Sequence, residues 1–166
     1  SLRDLDVNFR VEGTLMTTSI ETPKGTVSTV LEYTEEMRRE GASIPFVRRY
    51  PIEERDDIDA LMHVFDHIEV SPAPGNYRAF FDRVGERGLA VSSGMVGASP
   101  MHLVLHNLMR MDEFFYLYID DRERLEALTV HIEPVYEKVL ETVLQTEAEV
   151  AYWVANYDQS ITYLVF

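Results

Sequence analysis

The chain has 166 residues, 46% of them apolar and 27% charged, with a formal net charge of −14 and no cysteine. That size and balance suit one folded domain with its own core and argue against disorder. The acidity sets the chain against phosphate backbones and anionic membrane surfaces. The absence of cysteine excludes disulfides, thiolate metal sites and cysteine nucleophiles from these residues. No apolar run approaches the roughly 20 residues of a membrane helix, and the opening SLRDLDVNFRVEG has no apolar signal region. A cytoplasmic location, with no nucleic acid and no membrane as partner, is the expectation.

Residues 7–12, VNFRVE, alternate and favour a strand, as do 14–22 and 26–33 on either side of the turn Pro23-Lys24-Gly25. Residues 14–33 are therefore expected to form an antiparallel hairpin. The polar, basic segment 34–50 reads as loop or short helix. Ile58, Leu61, Met62, Phe65 and Ile68 recur at helical spacing behind an acidic start. SPAPGN at 71–76 breaks the chain, and 76–87 predicts a short helix with Tyr77, Phe80, Phe81 and Val84 on one side.

LAVSSGMVGASP, 89–100, reads as a buried strand that turns into a helix over about Met101–Met109. A second short helix, DEFFYLYI, follows. A long one then begins near Asp120-Asp121, which can cap it, and carries Leu125, Leu128, Ile132, Val135, Val139, Val143 and Leu144. Pro134 is expected to bend or divide it. The closing strand runs Val150–Ala155 and stops on Asn156, Tyr157 and Asp158. Strand, helices, strand over 89–158 make a βαβ unit, so the two strands should be parallel neighbours, buried on both faces. Ligands in such folds bind beyond the carboxyl ends of the strands. Here those ends are Ser92–Pro100 and Asn156–Ser160.

The ordered set Thr22-Pro23-Lys24-Gly25, Tyr50-Pro51, Gly94/Gly97, Phe114-Phe115 with Asp120-Asp121, and Asp158 with Thr162 and Phe166 resembles the uroporphyrinogen decarboxylase-like family. That family holds the heme-pathway decarboxylase and cobalamin-dependent methyltransferases of the methylcobalamin:coenzyme M type. The resemblance spans nearly the whole chain and rests on order more than on any one motif. It implies an α/β fold: about half of a (β/α)₈ TIM barrel with an added antiparallel β-hairpin, in a single domain over 1–166. The decarboxylase's arginine-rich R-Q-x-G-R stretch and its F-S-D-I strand are not found. In its G-A-P-x-T-x-x-x-Y motif, His106 stands for the tyrosine and His102 for the threonine. The expected Ser/Thr-Pro loop reads Thr162-Tyr163. The histidine replacements and missing motifs set the chain apart from the decarboxylase, and the resemblance is nearer the methyltransferase branch, which implies methyl transfer between a corrinoid (cobalamin) and a thiol. Its zinc ligands would lie outside this chain. The alternatives are a decarboxylase-type tetrapyrrole enzyme, and a non-catalytic half barrel that binds a corrinoid, a tetrapyrrole, a second copy or a complementing chain.

His102 and His106, four apart, fall on one helix face after GASP. They suit substrate contact or proton donation, the bland alternative being a surface ring and a ring bonded to a carbonyl. Asp158 at a strand's carboxyl end can orient substrate or move a proton, although turn aspartates are common there. With His106 it forms the expected catalytic pair, and Asn156, Tyr157, His102, Ser93 and Gly94 the substrate side. Small residues at 92–94 and 97–99 let a ligand approach the backbone, or simply let helix and strand pack closely. His63 and His67 lack the glutamate of a zinc-protease helix, and nearby Asp59 and Asp66 favour a solvated face. Arg48-Arg49 could meet an anion but suits a solvated pair. Phe114, Phe115, Tyr116 and Tyr118 read as core.

Overall fold

A computed structural model describes residues 1–93 and 98–152. Among them the fold is mixed α/β, built on a four-stranded antiparallel sheet in the order β1-β2-β3-β4. The strands are β1 (Val7–Glu12), β2 (Leu15–Thr22), β3 (Gly25–Glu32) and β4 (Phe46–Arg49). Gly13 takes φ 60° in the first two-residue turn, a conformation that favours glycine. In the second, the Thr22 hydroxyl accepts from the Lys24 N–H (3.1 Å) and donates to the Gly25 carbonyl (2.7 Å). The expected hairpin is present in register, Ile20 opposite Val27, but it is the middle of a larger meander. The segment 34–50 contains a strand as well as a helix. Arg48 and Arg49 hide that strand from a reading by hydrophobicity, and its pairing with β3 supplies what propensity does not. Helix α1 (Glu35–Arg39) is capped by the Thr34 hydroxyl, which accepts from the Met37 N–H at 3.1 Å.

One face of the sheet carries Ile20 and Val27 onto helix α2 (Asp57–Asp66). On α2, Ile58, Leu61, Val64 and Phe65 are buried, as the 3.6-residue period requires. Helix α6 (Arg122–Leu144) packs on α2 and α5 (Met111–Asp120) and buries Leu125, Leu128 and Ile132 completely. Pro134 does not divide α6. Its ring lies on the exposed side, where solvent can serve the carbonyl left without a donor. Asp121 stands at the start of α6 but makes no side-chain cap bond. Leu144, expected on the buried stripe, is exposed. On α5 only Phe114 and Leu117 are buried, while Tyr116 and Tyr118 face solvent, because successive helical residues turn about 100°.

The other half of the chain differs more from expectation. Helix α3 (Pro74–Val84) leaves Phe80 and Phe81 exposed, and a single 3₁₀ turn at Gly85–Arg87 follows it. The strands β5 (Ser92–Ser93) and β6 (Ala151–Tyr152) are parallel neighbours as expected, with Ser92 opposite Ala151. They are not buried on both faces: Ala90 and Ser92 are covered, but Leu89, Val91, Val150 and Tyr152 are exposed. Burial alternates only around β5, and β6 is exposed throughout, Ala151 included. The expected helix over Met101–Met109 divides into α4 (Pro100–Leu103) and a π-helical turn (Val104–Leu108).

Candidate functional site

The site is built from Ser99 upward. Ser99 is extended and Pro100 occupies the first helical position, the usual entry to a helix. The Ser99 hydroxyl accepts the backbone N–H of His102 at 3.2 Å and lies 2.8 Å from its Nδ1. One hydroxyl thus caps α4 and holds an imidazole. When Ser99 donates to Nδ1, the neutral ring carries its proton on Nε2. The His106 ring stacks on His102, with centroids 5.9 Å apart and planes 20° apart. The π-helical turn sets this stacking. It sinks Val104, Leu105 and Leu108 into the core and leaves His106 half-buried at its rim.

Beneath them, the Tyr136 hydroxyl of α6 donates to the Ser99 carbonyl at 3.0 Å. Tyr136 is buried, and desolvation pushes its phenol up from 10.0 to about 12. It is therefore a fixed donor at any physiological pH. The arrangement can present imidazole hydrogen bonds and a proton-holding group at one rigid helix start.

Of the expected site residues, the structure brings together His102 and His106. Ser93 ends β5. Gly94, Asn156, Tyr157 and Asp158 lie outside the described residues. The parallel pairing sets Ser93 opposite Tyr152, so the two last described strand residues stand side by side. Ser99 and Tyr136 were not singled out as site residues. A serine before proline at a helix start was a readable signal for the first. Nothing local marks the second, whose role depends on a contact 37 positions away.

The other candidates take their bland readings. The His67 Nδ1–H donates to the His63 carbonyl at 2.7 Å. Arg48 pairs with Glu32, Nε to Oε2 at 2.7 Å, beneath a cation–π contact with Phe46. An open cleft of about 660 Å³ between β4 and α5 contains Arg48, Tyr50, Glu53 and Arg110. In it Arg110 is bound to Asp112 at 2.7 Å, which holds that carboxyl below its ordinary value. Asp66 receives the His131 Nδ1–H at 2.6 Å, a pairing across 65 positions that no local pattern announces. Among the described residues no three metal-ligating side chains converge. No helix among them is long and apolar enough to cross a membrane. In comparisons with known proteins, no family model, no curated protein and no solved structure matches the chain.

Proposed function

We propose that this chain is the substrate side of a uroporphyrinogen decarboxylase-like domain: about half of a (β/α)₈ barrel, preceded by the antiparallel sheet. The proposed reaction is methyl transfer between a corrinoid and a thiol, in a cytoplasmic enzyme. One observation supports this reading above the rest. His102 stands anchored by Ser99 at the head of the first helix after β5, with His106 stacked on it from the π-helical turn, within a crossover that returns to a parallel neighbour. That is the strand-end position at which barrel enzymes gather their catalytic groups.

In that branch a zinc-bound thiolate is the nucleophile, because coordination keeps sulfur deprotonated at neutral pH. The described residues do not fit a zinc site. The chain has no cysteine, and two stacked imidazoles supply too few ligands. The zinc ligands are therefore assigned outside this chain, and its own groups act on substrate. His102 orients a polar group through the nitrogen that Ser99 does not engage, and His106 holds or moves a proton. Asp158, Asn156, Tyr157, Ser93 and Gly94 complete the proposed rim.

A second reading draws on the exposed Leu89, Val91, Val150 and Tyr152. An incomplete parallel sheet with an open apolar face could serve as a non-catalytic half barrel covered by another chain. Titration with methylcobalamin and with a porphyrin, followed by visible absorption, separates the readings. A perturbed corrinoid spectrum, with affinity lowered about tenfold or more in His106→Ala, is the expected result. Porphyrin binding alone would favour the tetrapyrrole enzyme. Binding of neither overturns both enzymatic readings.

A further inference from the structure

The two edges of the antiparallel sheet are treated differently. β4 is short, is flanked by Pro45 and Pro51, carries Arg48 and Arg49, and meets β3 through a register irregularity at Val30/Leu31. Those are the devices that stop an edge from pairing with another chain. β1 carries one arginine, Arg10, paired with Glu12 of the same strand, and has none of the other devices. It has no proline or lysine, its register with β2 is unbroken from Val7 to Glu12, and all its residues are exposed. Val7, Phe9 and Val11 alternate along it at 52%, 62% and 58% exposure.

The hydrogen-bond pattern says which backbone groups that edge offers. The Tyr33 N–H donates to the Thr14 carbonyl at 2.9 Å. Antiparallel bonding alternates, so on β2 the even-numbered residues bond β3 and the odd-numbered ones bond β1. Leu15, Thr17 and Ser19 stand opposite Glu12, Arg10 and Asn8. Hence Asn8, Arg10 and Glu12 spend their N–H and C=O groups on β2, while Val7, Phe9 and Val11 point theirs outward. The apolar side chains and the outward backbone groups belong to the same three residues.

We infer that β1 is the interface of a two-fold dimer of this chain, in which two β1 strands pair antiparallel about Phe9 and join the sheets into one of eight strands. The occupant follows from self-complementarity. Centred on Phe9, the register sets Val7 against Val11 of the second copy and Phe9 against Phe9, so every outward residue meets another outward residue. On the opposite face Arg10 lies across from Asn8 of the second copy, with Asp6 of that copy on one diagonal and its Arg10 on the other, while Asp6 faces Glu12, so charge opposes this register and the apolar residues and backbone groups carry it. A shift of two residues toward Glu12 would oppose Arg10 to Arg10 and leave Val7 facing Gly13. The two-fold axis makes the contact isologous, so it closes at a dimer and does not propagate. This inference is independent of the chemistry proposed above.

The chain has no native cysteine, so Phe9→Cys carries the only thiol. Across a hydrogen-bonded antiparallel pair the Cα atoms lie about 5.5 Å apart, within reach of a disulfide. Mild oxidation is expected to link Phe9→Cys into dimers, while Ile44→Cys, also exposed, stays monomeric. In hydrogen exchange, the amides of Val7, Phe9 and Val11 should gain protection as protein concentration rises. Those of Asn8, Arg10 and Glu12 should be protected throughout. Phe9→Lys should weaken the dimer at least about tenfold in sedimentation equilibrium without altering the circular dichroism. A wild-type monomer at all concentrations would overturn the inference. So would a dimer indifferent to Phe9→Lys, or protection of Val7, Phe9 and Val11 that does not depend on concentration.

Discussion

Tyr136 and Ser99 show how much one hydroxyl can decide. In the folded chain the Tyr136 phenol titrates near 12, against an ordinary 10.0, because burial disfavours the phenolate. Below pH 10 both folded and unfolded chains hold the proton, and this group makes stability independent of pH. Between about pH 10 and 12 the unfolded chain releases the proton first, so stability falls as pH rises. Tyr136→Phe should remove that part of the alkaline loss. It should also cost about 1 kcal/mol near neutrality for the lost bond to the Ser99 carbonyl. Urea midpoints at about pH 8 and about pH 11.5 test both signs in one pair of proteins. Ser99→Ala removes a helix cap and the Nδ1 partner of His102 together. Its expected cost is about 1 kcal/mol, with a changed ¹⁵N resonance at His102 Nδ1, and Ser99→Thr should restore both. At this scale the sequence spoke only in part. His102 and His106 announce themselves by type and spacing. The groups that hold them are ordinary residues, whose importance comes from contacts with α6.

Helices α2, α5 and α6 were readable because amphipathic period is a local property, and their buried residues are largely those the period selects. The β2–β3 hairpin was readable for a related reason: Pro23-Lys24-Gly25 fixes both the turn and the register. β4 was not, because an arginine-bearing edge strand is defined by the neighbour that pairs with it. The π-helical turn at Val104–Leu108 was not either, since one extra residue per turn leaves no signature in a short apolar run. Pro134 was expected to bend or divide α6, and it does not divide it. Packing of Leu128, Ile132 and Val135 holds α6 continuous across it. That packing opposes a local penalty, since proline lacks the donor and crowds the preceding turn. Pro134→Ala should therefore stabilise the chain by about 1–3 kcal/mol, read as a raised thermal midpoint. An unchanged midpoint would mean that the helix is already relaxed around the ring.

The whole molecule has two tiers of burial. The principal core joins the sheet, α2, the π-helical turn, α5 and α6, and among the described residues it contains none from α3, β5 or β6. The most extensive packing of α3 is against the 3₁₀ turn that follows it. Its stripe was legible as amphipathic, but amphipathicity says only that a helix can bury a face, and Phe80 and Phe81 remain largely open. A cavity of about 180 Å³ lies between Tyr77, Phe81 and Ala90, spanned by the Tyr77 hydroxyl bond to the Ala90 carbonyl. Few buried apolar contacts mean a small free energy of local opening, whatever the stability of the core. Amides of α3 should therefore exchange well before those of α2 and α6, in a subglobal step that leaves the Tyr136–Ser99 bond intact. Truncation should separate the tiers in the same way. Ile132→Ala, at a fully buried position, should cost about 2–5 kcal/mol of global stability, whereas Phe81→Ala should cost under about 1 kcal/mol. If α3 instead exchanges with the core, this face is covered in solution, and the exposed Leu89, Val91, Phe81 and Tyr152 mark where the covering chain sits. If it exchanges early, the βαβ half of the chain is its least stable part. The proposed corrinoid binding at Ser99, His102 and His106 would then leave the protection of α3 unchanged, because that opening keeps the site intact, and would raise it in α2 and α6, which open only when the site is lost.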